Sequence, residues 1–216
     1  MIDENMAVCG IITVEMAKGK ARVSKERQVN AYVEMRHASH VILEKAEEDL
    51  EGSFYQIMAS LIFTAFTMEA YLNHIGQHTF KCWDDLEGRL SPKSKLNLIT
   101  EKLQILTDYG KRPWQTFSDL FRFRNSVAHG KSELLKSDNQ IRLVDDTLDK
   151  HMHEFLETEW EKYCTAENAK QALEDVETII KAVHKAAGMG DLPFMFGMQS
   201  SSATLLPEEH IHNKSV

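Results

Sequence analysis

Cysteine is scarce in this chain. Its 216 residues include three, Cys9, Cys82 and Cys164, odd in number and far apart. Such a set builds neither a disulfide framework nor a paired metal motif, and a reducing cytoplasm is the natural expectation. A long apolar run is also missing. The nearest approach, residues 57–71, is interrupted by Ser60, Thr64, Thr67 and Glu69. It is too short and too polar to span a membrane. The first residues lack a basic segment followed by an apolar one, so no secretory signal is expected there. Positive charge is not in excess either. The formal net charge is −8 at pH 7, which argues against a broad, non-specific nucleic-acid binder but leaves room for a local basic site. No internal repeat, phosphate-binding Gly-rich loop, dinucleotide turn or nucleophile elbow occurs. The Gly188-Met189-Gly190 triplet follows a helical stretch, not a strand, and carries no weight.

What is present is helical periodicity in a chain of ordinary globular composition, 43% apolar and 27% charged. Residues 8–16 are apolar and β-branched, 17–20 turn, and 21–23 extend again. This reads as an N-terminal extended arm or hairpin, placed at residues 1–24. Ser24 is the expected cap of a helix over residues 26–50, which the Glu51-Gly52-Ser53 break ends. Residues 54–76 carry apolar side chains around so much of the helix that burial on more than one side is expected. Glu69 stands out within it. It either faces water or pairs with a cation, for which Arg124 is an attractive partner.

A linker with a short helical piece is expected at 80–90. Ser91 and Pro92 then start a helix marked by Leu96, Ile99, Leu103 and Leu106. Trp114, Phe117, Leu120, Phe121 and Phe123 carry another helix forward. Beyond it, Ile141, Leu143 and Val144 suit a strand or an irregular arm, and residues 148–163 are acidic and weakly helical. Thr165 caps a clean amphipathic helix ending at Ala187-Gly188. The segment 188–216 is aperiodic, rich in Gly, Ser, Pro and Met, and expected to be a flexible tail. His74 and His78 have the spacing of metal ligands on one helix face, but Gly76 lies between them and no third ligand is near. Neither a metal nor another cofactor is expected.

The most specific segment follows the aromatic helix: Arg124-Asn125-Ser126-Val127-Ala128-His129, then Gly130. Arginine offers a permanently charged fork matched to phosphate oxygens. Histidine titrates near neutrality and serves as base or acid. Metal-free RNA cleavage needs both functions, together with a polar group such as Asn125 to orient the imidazole or bond to phosphate. Five residues of ideal helix turn by about 500°, which leaves Arg124 and His129 roughly 140° apart. They do not share one face of a straight helix. Either the helix bends or ends inside the motif, or a partner chain helps the groups converge. A plainer reading stays open, in which His129 and Gly130 terminate a helix and Arg124 is an ordinary ion-pair residue. Lys111, Arg112, Arg122, Lys131 and Lys136 cluster around the motif in sequence, while the acidic excess lies elsewhere. Lys111, Arg112, Arg122 and Lys131 are candidate RNA contacts, or an ordinary solvated stretch.

This hexapeptide resembles the R-x4-6-H motif of the HEPN superfamily, in which a polar residue, often Asn, follows the Arg. As a helical pattern the resemblance covers residues 28–129. It implies an all-α, antiparallel helical bundle, here over residues 25–187 with a C-terminal helical extension. It further implies a metal-independent endoribonuclease attacking through the RNA 2′-hydroxyl, with Arg124, Asn125 and His129 as catalytic residues and Glu69 in support. Family members generally build the site at a homodimer interface, act in toxin–antitoxin or antiviral defence, and in some systems are targets of a partner nucleotidyltransferase. Others are non-catalytic RNA-binding or dimerisation modules, which is the rival reading.

Overall fold

In the computed structural model, the structure describes residues 20–49, 51–137, 152 and 155–206. They divide into a small strand ribbon and a helical body comprising residues 29–196. The expected extended arm at 8–16, the strand at 141–144, and His151 and His153 lie outside the described residues.

In the ribbon, β1 (Ala21–Arg27) pairs antiparallel with β2 (Gln199–Leu205), in a register running from Ala21 opposite Leu205 to Arg27 opposite Gln199. Two sequence expectations need correction here. Ser24 caps no helix but stands opposite Ser202, and part of the supposedly flexible tail is a strand. The reason is the same for both. The backbone groups of 21–27 are satisfied by a partner some 180 residues away, a pairing that local periodicity cannot register.

The helical body begins with α1 (Ala31–Glu48), whose N-cap is Asn30. Gly52, at φ 78°, supplies the left-handed turn into α2 (Ser53–Thr79). This central helix packs against α1 and against four later helices: α3 (Trp83–Leu86), α4 (Pro92–Lys102), α5 (Trp114–Ala128) and α7 (Ala166–Ala186). A short α6 (Glu159–Tyr163) precedes α7. The body is thus a mostly helical bundle with α2 as its core, and Leu61, Ala65, Met68, Tyr71, Leu72 and Ile75 are fully inaccessible. Small hydroxyl residues let α1 approach α2 closely. Ser39 bonds to Thr64 Oγ1 at 2.7 Å and donates to the Ser60 carbonyl at 3.0 Å, so this buried polar seam is satisfied.

Helix ends follow local chemistry. The Ser91 hydroxyl accepts the Ser94 N–H at 3.1 Å, and Thr165 does the same for Asn168 at 3.1 Å. Thr158 and Glu161 form a reciprocal capping box on α6. α4 stops at Lys102 and does not extend to Leu106, which is almost wholly exposed. Gln104 takes φ 56°, and the bonds from Gln104 N–H to Glu101 O and from Ile105 N–H to Thr100 O close the helix. A left-handed glutamine leaves no glycine for a sequence reader to notice.

One glycine in the core is required by contact. A Cβ on Gly76 would lie 2.1 Å from Trp83 Cε2, inside the indole, and Trp83 is itself buried and stacked on Phe80. Gly76→Ala is therefore expected to destabilise the body by about 1–3 kcal/mol through overpacking, read as a lower urea midpoint with an unchanged m-value. A midpoint equal to wild type would contradict this packing.

Burial also makes stability depend on pH. His184, whose Nδ1 lies 3.4 Å from the Tyr71 hydroxyl, and His74, beside Tyr32, both have pKa values lowered, chiefly by desolvation. The folded state holds them neutral, whereas the unfolded chain takes up protons below about pH 6.5. Their stabilising contribution is present above that pH and is lost as pH falls through the lowered folded values. The urea midpoint is expected to drop between pH 7 and pH 5, and less steeply in His184→Gln. Equal slopes for the two proteins would contradict the assignment.

Candidate functional site

α5 follows Pro113 and is built on aromatic contacts. Phe117 and Phe121 rings lie 4.5 Å apart, and Phe123 lies 5.3 Å from Tyr163. These contacts bury one side of the helix and fix its rotation. Arg124 is thereby turned toward α2. Its Nη2 forms an ion pair with Glu69 Oε2, its Nη1 donates to Asn125 Oδ1 at 3.0 Å, and its Cζ stands 5.5 Å from the Phe121 ring centroid. Nε is buried with no hydrogen-bond partner among the described residues. Arg124 therefore makes its polar contacts through the two terminal nitrogens. A charge on so apolar a helix as α2 calls for a counter-charge, and Arg124 is the one that Glu69 meets.

The helix stays regular through Ala128 and ends inside the motif, with His129 as its C-cap. The His129 N–H donates to the Asn125 carbonyl at 2.9 Å, and its side chain is exposed. Gly130 does not adopt the left-handed backbone of a usual terminating glycine. It is needed for a different reason, because a Cβ there would sit 2.8 Å from the Ser126 carbonyl oxygen. The chain folds back tightly over the last turn and leaves His129 at the open end of α5.

Arg124, Asn125 and Glu69 are thus brought together, and His129 lies one turn further along the same helix. The basic residues around them divide. Arg112 is held by Asp175, with Nε–Oδ2 at 2.7 Å and Nη2–Oδ1 at 3.0 Å, and Thr116 adds a 2.6 Å bond to the same carboxylate. This bidentate pair ties the start of α5 to α7, while the Arg112 side chain stays half exposed. Arg122 pairs with Asp119 at 3.0 Å and Lys111 with Asp108 at 3.6 Å, both pairs on the surface. Lys131 is exposed.

Sequence reading overlooked a further cation near this face. Lys95 of α4 is 4% exposed, and its Nζ donates to Asn73 Oδ1 of α2 at 2.7 Å. The available signal was its position four residues before Ile99, beside the buried stripe of α4.

A cleft of about 360 Å³ lies between α1 and α7, away from the motif, lined by Arg36, His40, Glu47, Lys170 and Glu177 among others. Its cations are already paired, Arg36 with Glu177 and Lys170 with Glu47. Among the described residues no group of three or more His, Cys, Asp or Glu is placed to hold a metal ion, and no helix is long and apolar enough to cross a membrane. Comparison of the chain with protein-family models, with curated proteins and with solved structures finds no match to any of them.

Proposed function

We propose that this chain is a HEPN-like, metal-independent endoribonuclease that cleaves RNA by attack of a 2′-hydroxyl on the adjacent phosphate. The observation that carries the reading is the arrangement of the motif. Arg124 is held by Glu69, Asn125 and the Phe121 ring, and one turn later an exposed imidazole ends the same helix. A guanidinium held in place against a half-buried carboxylate is preorganised to meet charge developing on a phosphorane. An accessible imidazole is free to move protons.

In this reading Arg124 contacts the non-bridging oxygens, Asn125 orients, and His129 transfers the proton. One chain supplies a single motif histidine, whereas cleavage needs both a base and an acid. The proposal therefore includes a symmetric homodimer whose two motifs face one cleft, acting in the cytoplasm in toxin–antitoxin or antiviral defence. An antitoxin or a nucleotidyltransferase would be its protein partner. Sedimentation at micromolar concentration is expected to give a dimer, and a monodisperse monomer would count against the shared site.

The test is incubation of purified protein with structured and single-stranded RNAs in excess chelator. Cleavage is expected to persist and to leave 2′,3′-cyclic phosphate ends. A second reading, a non-catalytic RNA-binding or dimerisation module, draws on one set of observations. The net charge is −8, and Arg112, Arg122 and Lys111 are engaged by the chain's own carboxylates. Absence of cleavage of any RNA tried would favour that module.

A further inference from the structure

Four exposed lysines of the helical body pair with carboxylates, whereas its one buried lysine among the described residues does not. Lys111, Lys162, Lys170 and Lys181 all meet carboxylates, although each is at least half exposed and gains little from pairing. Lys95 is buried, where an ammonium most needs an anion, yet no carboxylate of the described residues lies within ion-pair distance of it. Its hydrogen-bond partner is the neutral oxygen of Asn73. An ammonium has three hydrogens, so two remain for other acceptors. Because it can only donate, the Asn73 oxygen must face it, and the two amide N–H groups of Asn73 point elsewhere. Asn73 is only half-buried, so this edge of the pair reaches the surface.

The location adds meaning to the missing anion. Asn73 lies four residues after Glu69 on α2, one turn and about 6 Å along the same face. Glu69 holds Arg124, and Asn73 holds Lys95. Two cations from two different helices thus meet successive turns of α2. The unused hydrogen-bonding capacity of Lys95 is all donor and the Asn73 amide adds two N–H donors, which suits an anion.

We infer that Lys95 and Asn73 form a second anion contact, taking the RNA phosphate next to the one held by Arg124. The inference rests on the reading of Arg124 as a phosphate-binding group. It gives the acidic protein a local route to a polyanion, and it makes the substrate a strand with at least two successive phosphates lying along α2.

The test uses full-length protein and a single-stranded RNA oligonucleotide carrying 2′-O-methyl groups, which cannot be cleaved by 2′-hydroxyl attack. Fluorescence anisotropy is read across a salt series. Lys95→Met keeps the length of the side chain and removes the charge. It is expected to weaken binding about tenfold and to reduce the salt slope by about 0.7, the value for one lost phosphate contact on a single strand. Asn73→Asp supplies the missing carboxylate to Lys95 and closes the site. It is expected to weaken binding similarly while holding or raising the melting temperature, which a merely structural Lys95–Asn73 pair would not predict. If wild type binds and Arg124→Ala binds more weakly, yet both Lys95→Met and Asn73→Asp match wild type in affinity and slope, this contact is refuted and the Arg124 reading survives. If wild type does not bind the oligonucleotide at all, both fall.

Discussion

His129→Ala is expected to reduce RNA cleavage by at least ~10²-fold, the scale of a lost general acid or base, with little change in stability. The expected separation of the two effects comes from where the residue sits. His129 caps α5 through its backbone, donating its N–H to Asn125, and alanine retains that bond. Its side chain is exposed, so no cavity opens on truncation. A charged histidine at a helix C-terminus contributes only about 0.3–1 kcal/mol. A fall in kcat with a melting temperature close to wild type would therefore report chemistry. Equal cleavage by wild type and His129→Ala, on matched RNA in chelator, would remove the imidazole from the mechanism.

How much was legible from sequence depended on whether the deciding interaction was local. α2, α4 and α7 announce themselves through apolar spacing, and the N-caps of α4 and α7 through Ser91 with Pro92 and through Thr165. The partner of Glu69 was legible although it lies 55 residues away, because a carboxylate on so apolar a helix demands a cation and the motif offered one. The ribbon was not, since Ser24 and its neighbours look like a helix start unless the strand at 199–205 is known. The bond between Arg112 and Asp175 spans 63 residues and carries no local mark. Arg112 consequently looked like one more cation near the motif, whereas it locks two helices together. Lys95 was hidden for the opposite reason. A lysine beside an apolar stripe ordinarily reaches its ammonium straight out to water, and only the packing of α4 against α2 reveals that this one turns to Asn73.

The second large effect is expected at Arg124. Arg124→Lys should lower kcat by about 10²–10³-fold, comparable to the loss of a preorganised oxyanion donor, although the formal charge is unchanged. The reason lies in how the guanidinium is occupied. Nη2 meets Glu69 and Nη1 meets Asn125, from two nitrogens held in one rigid plane near the Phe121 ring. Each terminal nitrogen keeps a second hydrogen, so the plane can hold its two protein partners and still offer paired donors to a phosphate. An ammonium has three hydrogens around one atom. Once it satisfies Glu69 it cannot also reproduce the contact to Asn125 and a bidentate contact to phosphate. Glu69→Gln separates positioning from charge. It retains an oxygen acceptor for Arg124 but removes the carboxylate that competes with the substrate, so KM is expected to fall or stay level while kcat drops modestly, by less than about tenfold. A merely structural pair would show the reverse order, with both substitutions lowering the melting temperature and neither altering the kinetics of the folded fraction. Wild-type kcat in Arg124→Lys would mean that no fork-to-phosphate contact forms in the transition state.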